Sequence, residues 1–322
     1  MLLGFDIGGT KCAVCIGRKT GDGLLEVIDK VILPTADGPA VMIDLLFHHA
    51  ALLLGRHGFA NGDIDGIGIS CGGPLNSKTG TILSPPNLPG WDNVAIVAIA
   101  EQRFGRRAVL QNDANACAVA EWKYGAGRGY DDVVFVTFGT GMGAGLVLNG
   151  QLHAWSTDGA GEAGHIRLRN SGPVGFGKAG SFEGFCSGGG IAQLAQTKAR
   201  ELLQKGEKPS FSPTLEDVPK ITAKSVAEAA FCGDAAAIDV YGTSGRYLGR
   251  GLAILIDLLN PQVIIIGGIY TRAQSLLEPQ MREALAQEAL PGALGACRIV
   301  PAALNESIGD MAALALADMA SA

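Results

Sequence analysis

The sequence predicts an α/β protein of about two domains, in which helices cover largely parallel sheets. Its 322 residues suffice for two domains of ordinary size. Hydrophobic residues make up 48% of the chain and glycine occurs 47 times, whereas aromatic residues reach only 6%. This composition favours an α/β protein with many tight turns over a β-sandwich. Apolar runs of strand length also alternate with helical patterns, which predicts parallel strands everywhere except at hairpins.

The first half of the chain begins with a predicted β-hairpin over residues 2–16, because two apolar runs flank a Gly-Gly-Thr turn. Three prolines exclude a helix or a central strand from residues 84–91, so we expect a fixed loop that exposes Asn87 and Trp91. The other elements predicted from apolar spacing are strands over 23–33, 64–70 and 108–111, and helices over 40–55, 94–104 and 114–124.

The second half is predicted to repeat the strand-turn-strand plan, which suggests an ancient duplication. A glycine-rich region over 157–190 follows the second hairpin, and residues 206–219 form a surface connection. The predicted strands are 133–138, 144–148 and 263–266, and the predicted helices are 191–205, 224–231, 234–242, 244–259 and 308–319.

Charge and cysteine usage exclude several classes of protein. The net charge is −6 and no stretch gathers Lys and Arg into a stripe, so binding to nucleic acid is not expected. The apolar stretch over 41–54 is broken by Asp44, His48 and His49 and is too short to span a membrane. Seven scattered cysteines without a signal peptide predict reduced thiols and a cytoplasmic protein. The Cys12-x-x-Cys15 pair lies in a predicted strand with its members on opposite faces, which indicates small buried residues.

Two glycine turns are the strongest functional signal in the sequence. Glycine lets backbone N–H groups approach a ligand, and threonine adds a hydroxyl donor, so the pair predicts two phosphate-binding turns held in different lobes. A single such turn would more simply be an ordinary hairpin turn. No helix follows the second turn directly and no Gly-Lys-Ser/Thr motif occurs, so neither the dinucleotide nor the P-loop mechanism fits. The turn residues are Asp6, Gly8, Gly9, Thr10 and Lys11, and then Gly139, Thr140, Gly141 and Gly143.

Polar residues in three further segments are candidates for substrate binding. Asn112 and Asp113 follow a predicted strand, at the sheet edge where ligands collect, and the alternative interpretation of Asp113 is a helix N-cap. Carboxylates and an imidazole in the glycine-rich region can bind neighbouring hydroxyls, or can simply be solvated. These are Glu162, His165 and Glu183. Gly267 and Gly268 follow a buried strand and either admit a flat ligand or form a plain turn.

These segments together resemble the sugar kinases of the ROK family (repressors, open reading frames and kinases). The resemblance covers nearly the whole chain, and it implies a two-lobed, actin-like ATPase (ribonuclease H-like) fold with the active site in the interdomain cleft. The two glycine turns resemble the family's phosphate motifs, and Gly267-Gly268 resembles its adenosine motif. The implied domains are 1–118, completed by the C-terminal helix 304–322, and a larger domain over 119–303. The implied sugar-binding set is Asn87, Asn112, Asp113, Glu162, His165 and Glu183.

One departure from the family concerns its structural zinc. The family often has three cysteines that bind zinc together with the histidine of its Gly-Glu-x-Gly-His motif, which is His165 here. The cysteine positions are occupied by Val174, Phe176 and Ser181, and Cys186 is five residues from the last of them. Valine and phenylalanine cannot bind zinc, so we expect no structural zinc and a loop held by packing.

The resemblance implies transfer of the γ-phosphoryl group of ATP to a hexose, with Asp113 as the base that accepts the hydroxyl proton. Glucose at O6 is the first candidate. N-acetylmannosamine, N-acetylglucosamine, fructose, allose and β-glucosides are alternatives, as is polyphosphate as donor. Mg²⁺ is expected with ATP, with Asp6 coordinating it through water, and a homodimer is implied. A repressor is not expected because the first motif begins at residue 5, which leaves no room for a DNA-binding domain. A catalytically inactive sugar sensor is the non-enzyme alternative.

Overall fold

The structure, a computed structural model, describes residues 1–154 and 156–321, without the side chain of Glu306. The chain divides into two compact units. The first contains Met1–Asp131, Gly145–Ala160 and Ala303–Ala322, and the second contains Asp132–Ala144 and Gly161–Ala302. These bounds differ from the predicted division at residue 118, because helix α3 (Asp113–Tyr124) lies wholly in the first unit and the C-terminal segment packs against it.

The first unit is built on a five-stranded sheet in the order β3-β2-β1-β4-β7. Strands β1, β2 and β3 are antiparallel neighbours, and β1, β4 and β7 run parallel. The parallel strands therefore end at one edge, where Asp6 is opposite Ser70 and Cys71 is opposite Asn112. The bounds are β1 (Leu2–Ile7), β2 (Lys11–Lys19), β3 (Leu25–Pro34), α1 (Pro39–Arg56), β4 (Gly66–Cys71), β5 (Leu75–Asn76), β6 (Thr81–Ile82), α2 (Ile96–Phe104) and β7 (Ala108–Asn112).

The C-terminal helix packs closely against the strands of the first sheet. This helix, Ile308–Ser321, is rich in alanine, and most of its residues are buried. A Cβ atom built on Gly68 would lie 1.9 Å from the carbonyl oxygen of Ala313, and one on Gly66 would lie 2.2 Å from that of Ala317. Glycines in β4 and alanines in the helix therefore let the two backbones approach, which explains the glycine-rich strand.

The second unit contains most of another five-stranded sheet, in the order β10-β9-β8-β13-β14. The central strand β13 runs parallel to both β8 and β14. The bounds of the second unit's elements are β8 (Val133–Phe138), β11 (Val174–Gly175), β12 (Lys178–Ala179), α4 (Phe182–Phe185), α5 (Gly188–Gln204), α6 (Ala223–Phe231), α7 (Ala235–Leu259), β13 (Val263–Ile266), α8 (Ile269–Glu288), α9 (Pro291–Ala296) and β14 (Arg298–Pro301). Strand β9 (Met142–Leu148) begins in the second unit and ends in the first, whereas β10 (Gln151–Leu152) and the C-terminal helix α10 (Ile308–Ser321) belong to the first unit.

Three features of the structure differ from the sequence predictions. The two helices predicted over 234–242 and 244–259 form the single helix α7, since its buried face continues through Tyr241, Ser244 and Gly245. The sequence did not predict α8 or β14, which follow the buried strand β13. The prediction that Trp91 is exposed is wrong: its side chain is 1% exposed and belongs to the core of the first unit. Leu88, whose carbonyl accepts a hydrogen bond from Trp91 N, is buried in the same core.

Among the described residues, no helix is both long enough and apolar enough to cross a membrane.

Candidate active site

Asp6 and Asp113 lie at the C-terminal edge of the parallel strands of the first sheet. Asp6 belongs to β1, and Asp113 is the first residue of α3, directly after β7. The pKa of Asp6 is raised to about 6, chiefly by burial. A hydrogen bond with Ser70 opposes this rise, the negative charges of Asp113 and Asp310 add to it, and the charge of Lys11 opposes it. Burial also raises the pKa of Asp113. The edge thus concentrates negative charge where water is scarce, an environment that favours a cation or a proton.

Asn112, not Asp113, caps helix α3. The Oδ1 atom of Asn112 accepts a hydrogen bond from Asn115 N at 2.7 Å, and its Nδ2 donates to the carbonyl oxygen of Asp158 at 3.4 Å. The alternative interpretation of Asp113 as the cap is therefore wrong. Asp113 accepts a hydrogen bond from Ala114 N at 2.9 Å, which involves only Oδ1.

The first glycine turn is anchored from β3 and lies against the Asn87 loop. Thr35 donates its hydroxyl to the carbonyl of Gly8 at 2.6 Å and its N–H to that of Thr10 at 3.1 Å. A Cβ atom on Gly9 would lie 2.3 Å from the carbonyl oxygen of Asn87, so a larger residue cannot replace this glycine without a shift of the backbone. The Asn87 side chain is exposed beside Gly72. The structure therefore brings Asn87 to the predicted phosphate turn.

The second glycine turn is bonded directly to a predicted sugar-binding residue. The N–H of Met142 donates to Glu183 Oε2 at 3.1 Å, and Gly141 has that oxygen close to where a Cβ would lie. Thr137 Oγ1 accepts from Gly143 N at 2.9 Å, and the carbonyl of Gly139 accepts from Gly188 N at 2.8 Å. These bonds fix the turn while Thr140 remains exposed at its tip.

Glu162 and His165 bound a short 3-10 turn in the same unit. Glu162 precedes the turn Ala163–His165, and both side chains are exposed. The turn packs on the second glycine turn, because a Cβ on Gly164 would lie 2.1 Å from the carbonyl oxygen of Met142. Glu162, His165 and Glu183 are therefore all carried by segments that contact the strand β9 or the turn before it.

Gly267 and Gly268 lie next to the second glycine turn and directly precede Ile269, which lines an apolar cavity. Gly268 has a φ of +69°, and its missing Cβ would lie 2.2 Å from the carbonyl oxygen of Phe138. Residue 268 must therefore be glycine for two reasons. The neighbouring cavity measures about 440 Å³ and is lined chiefly by apolar side chains from α6, α7 and the start of α8. The lining includes Ala223, Ala227, Phe231, Tyr241, Ile269 and Ala273, with Lys224, Glu228 and Arg272 as its charged members.

Two residues that hydrogen-bond Asp6 and Asn112 were not predicted from the sequence. Ser70 is 2% exposed and hydrogen-bonds Asp6 from the neighbouring strand. Its position at the end of a predicted strand was the only available signal. Asp158 accepts from Ser77 N at 2.8 Å and, through its carbonyl, from Asn112. Asp158 is 46 residues from Asn112 in sequence, so no local pattern reveals the pair.

The set of zinc ligands expected from the family is not present in the hairpin of β11 and β12. Val174 is half exposed, the Phe176 ring contacts His165, and Ser181 caps α4 by accepting from Gly184 N at 3.0 Å. Within the described part of the chain, no group of three or more His, Cys, Asp or Glu side chains is placed to bind a metal ion. Because the side chains of valine and phenylalanine carry no donor atom, the residues at these positions do not fit zinc.

The comparison with known families matches the ROK family model over residues 2–320. The chain belongs to the ROK family. It is 30% identical to a glucokinase of Thermotoga maritima over 322 residues, which cover 98% of this chain and 96% of the relative. It is also 30% identical to a ROK family glucokinase from Streptomyces griseus, whose crystal structure contains glucose and AMPPNP, with a TM-score of 0.74 and 99% of each chain covered.

The ROK family also contains regulators similar to this chain. The crystal structure of a ROK family transcriptional regulator matches with a TM-score of 0.85 and 25% identity, over 99% of this chain and 78% of that one. The family assignment and the actin-like α/β fold predicted from the sequence are confirmed.

The raised pKa of Asp6 predicts a pH-dependent effect of its replacement on stability. The folded pKa of about 6 exceeds the ordinary aspartate pKa of 3.8, so the folded state binds more protons between these values and stability falls as pH rises through them. At neutral pH the ionised Asp6 side chain lowers the free energy of unfolding by up to about 3 kcal/mol. We expect Asp6→Asn to raise the free energy of unfolding at pH 7.5, with a smaller gain at pH 4.5. Urea unfolding of both proteins at the two pH values measures this difference, and an equal effect at both would contradict the assigned shift.

Proposed function

We propose that this ROK family sugar kinase transfers the γ-phosphoryl group of ATP to the O6 hydroxyl of glucose. The observation that carries this proposal is the presence of Asp113 at the sheet edge, with the capping role taken by Asn112 and burial favouring its acceptance of a proton. The glucokinase relatives support the sugar, and the family match supports the reaction.

The proton and the phosphoryl group move in opposite directions in this mechanism. Asp113 orients the O6 hydroxyl and accepts its proton while O6 forms a bond to the γ-phosphorus. The bond from the γ-phosphorus to the bridging oxygen breaks, and ADP leaves with that oxygen. Asn87, Asn112, Glu162, His165 and Glu183 bind the other hydroxyls of the sugar. Such catalysis depends mainly on positioning and on stabilisation of charge.

ATP binding is assigned to the two glycine turns and to the Gly267-Gly268 segment. N–H groups of Gly8–Lys11 and Gly139–Gly143 bind the phosphates, and the 440 Å³ cavity beside Gly268 accepts the adenine ring. Its apolar lining and its position after strand β13 support this assignment. The Mg²⁺ that accompanies ATP offsets phosphate charge, and Asp6 is the residue that would hold it. The buried, negatively charged surroundings of Asp6 fit a cation.

A coupled assay of ADP release across a sugar panel tests the proposed function. The panel contains glucose, N-acetylmannosamine, N-acetylglucosamine, fructose, allose and a β-glucoside, with polyphosphate compared as donor. We expect glucose with ATP to give the highest kcat/KM. Higher kcat/KM for another sugar would transfer the proposal to that sugar, and no turnover with any of them would favour a sugar sensor.

Replacement of Glu162 is expected to weaken sugar binding selectively. Glu162→Gln removes a charged hydrogen-bond acceptor, so the sugar KM should rise about 10-fold while the ATP KM stays unchanged. Steady-state kinetics with each substrate varied in turn measure both constants. Glu216→Gln, in an exposed connection of the same unit, is the matched control and should change neither. An effect on the ATP KM alone would remove Glu162 from the sugar site.

We also propose that the protein contains no structural zinc. His165 is the one remaining member of the expected ligand set, and one histidine cannot hold a four-coordinate site. Elemental analysis of protein purified without chelators should find zinc well below one equivalent. One equivalent of zinc that is lost in His165→Gln would overturn the proposal.

A further inference from the structure

The hairpin of β11 and β12 has a turn whose residues conflict with its geometry. Val174 pairs with Ala179 and Gly175 pairs with Lys178, so Phe176 and Gly177 form a two-residue turn. Both have positive φ values, 41° and 73°, as a type I′ turn requires. Asparagine or glycine favours the first position of this turn, whereas a bulky phenylalanine adopts that backbone conformation only at a cost. Turn formation therefore does not explain Phe176.

The Phe176 side chain contacts a predicted substrate-binding residue, His165, which lies outside its hairpin. Its ring lies 5.3 Å from the His165 ring, centroid to centroid, at an interplanar angle of 80°. The remainder of the ring is open, since Phe176 is 73% exposed. An edge-to-face pair of this kind stabilises one orientation of the imidazole. A strained residue that orients a neighbour is a pattern found at functional sites.

The hairpin is itself fixed to two neighbouring segments, the turn that ends at His165 and helix α5. Lys178 Nζ donates to the carbonyl oxygen of His165 at 2.6 Å. On the other side, the Gln193 side chain accepts from Val174 N and donates to Val174 O, both at 2.9 Å. Gly175 lies against Glu183, because a Cβ there would be 2.9 Å from Glu183 Cβ and Cγ. The hairpin therefore presents Phe176 from a rigid base that also contacts Glu183.

We propose that Phe176 is a positioning residue, whose ring holds the His165 imidazole in the orientation that binds the sugar. The proposal rests on the proposed function, since it requires that His165 binds a sugar hydroxyl. Phe176 is not proposed to contact the reacting atoms. Phe176 contributes to the affinity for sugar, so its replacement should change the sugar KM and leave kcat and the ATP KM unchanged.

Phe176→Asn tests the proposal, because asparagine suits the turn while it lacks the ring. We expect an unchanged or raised Tm together with a rise of about 3- to 10-fold in the sugar KM, the range that an aromatic pair supports. The kcat and the ATP KM should stay within about twofold of wild type. Phe176→Tyr keeps the ring and should restore the wild-type sugar KM, whereas Phe176→Leu keeps only apolar bulk and should not.

Leu258→Asn is the matched control, since Leu258 is 75% exposed on α7 in the same unit. A second measurement is independent of activity. The sequence has five histidines, so NMR can follow the His165 ring, assigned through His165→Gln. Its ring resonances should shift in Phe176→Asn and stay in place in Leu258→Asn. Unchanged resonances, or a wild-type sugar KM in Phe176→Asn, would overturn the positioning role alone. Absence of turnover and of sugar binding in the wild type would instead refute the proposed function.

Discussion

Asp113→Ala should lower kcat by at least about 10³-fold, within the range expected for a base that also orients its substrate. The variant removes the proposed acceptor for the hydroxyl proton. The cap of α3 belongs to Asn112, so the helix should keep its N-terminus and the protein should remain folded. Steady-state kinetics at saturating sugar and ATP measure the loss, and circular dichroism checks the fold.

Two further variants sharpen the Asp113 prediction. Asp113→Asn preserves the shape of the side chain but cannot accept the proton as a carboxylate does, so it should lose nearly as much kcat as the alanine variant. Asp37→Ala removes an exposed carboxylate of the same unit and should keep normal turnover. Turnover within tenfold of wild type in Asp113→Asn would exclude general-base catalysis by this residue.

Glu121→Ala should cost at least about 3 kcal/mol in the free energy of unfolding. Glu121 is fully buried in α3, and its carboxylate accepts three backbone hydrogen bonds. Oε2 accepts from Ala126 N at 2.8 Å and Ala303 N at 3.2 Å, and Oε1 accepts from Leu304 N at 2.8 Å. The truncated side chain would leave these donors buried without an acceptor. Urea unfolding monitored by circular dichroism gives the difference.

The loss of these hydrogen bonds should also affect the candidate site, because Glu121 joins α3, the helix that begins at Asp113, to the segment that leads into α10. Glu121→Gln keeps one acceptor oxygen but turns an amide donor toward other N–H groups, so it should also destabilise the protein. Glu216→Ala removes an exposed carboxylate and should stay within about 0.5 kcal/mol of wild type. A loss below 1 kcal/mol for Glu121→Ala would contradict the network as described.

The sequence predicted those parts of the molecule that depend on local pattern. The hairpin over 2–16 appears as β1 and β2, and the buried run over 263–266 appears as β13, because apolar spacing and glycine turns act over a few residues. The candidate site residues stood out because Asn112, Asp113 and the glycine turns lie at strand ends. Ligands collect at the same place in parallel sheets, so the pattern indicated function as well as structure.

The sequence did not predict features that depend on residues distant in the chain. No local sequence pattern predicts the burial of Glu121, because its partners Ala303 and Leu304 lie more than 180 residues later in the chain. Trp91 follows three prolines and was expected at the surface, but its indole fills the core of the first unit. The contact between Phe176 and His165 likewise required the turn geometry of the hairpin. Each of these is a tertiary interaction without a local sequence signal.

The most direct test of the proposed function is a ³¹P NMR measurement of the protein with ATP, Mg²⁺ and ¹³C-labelled glucose. We expect loss of the γ-phosphate signal, one ADP for each new phosphomonoester, and phosphorus coupling to carbon 6 of the sugar. Phosphorus on another carbon, or hydrolysis to inorganic phosphate without a monoester, would contradict transfer to O6 of glucose.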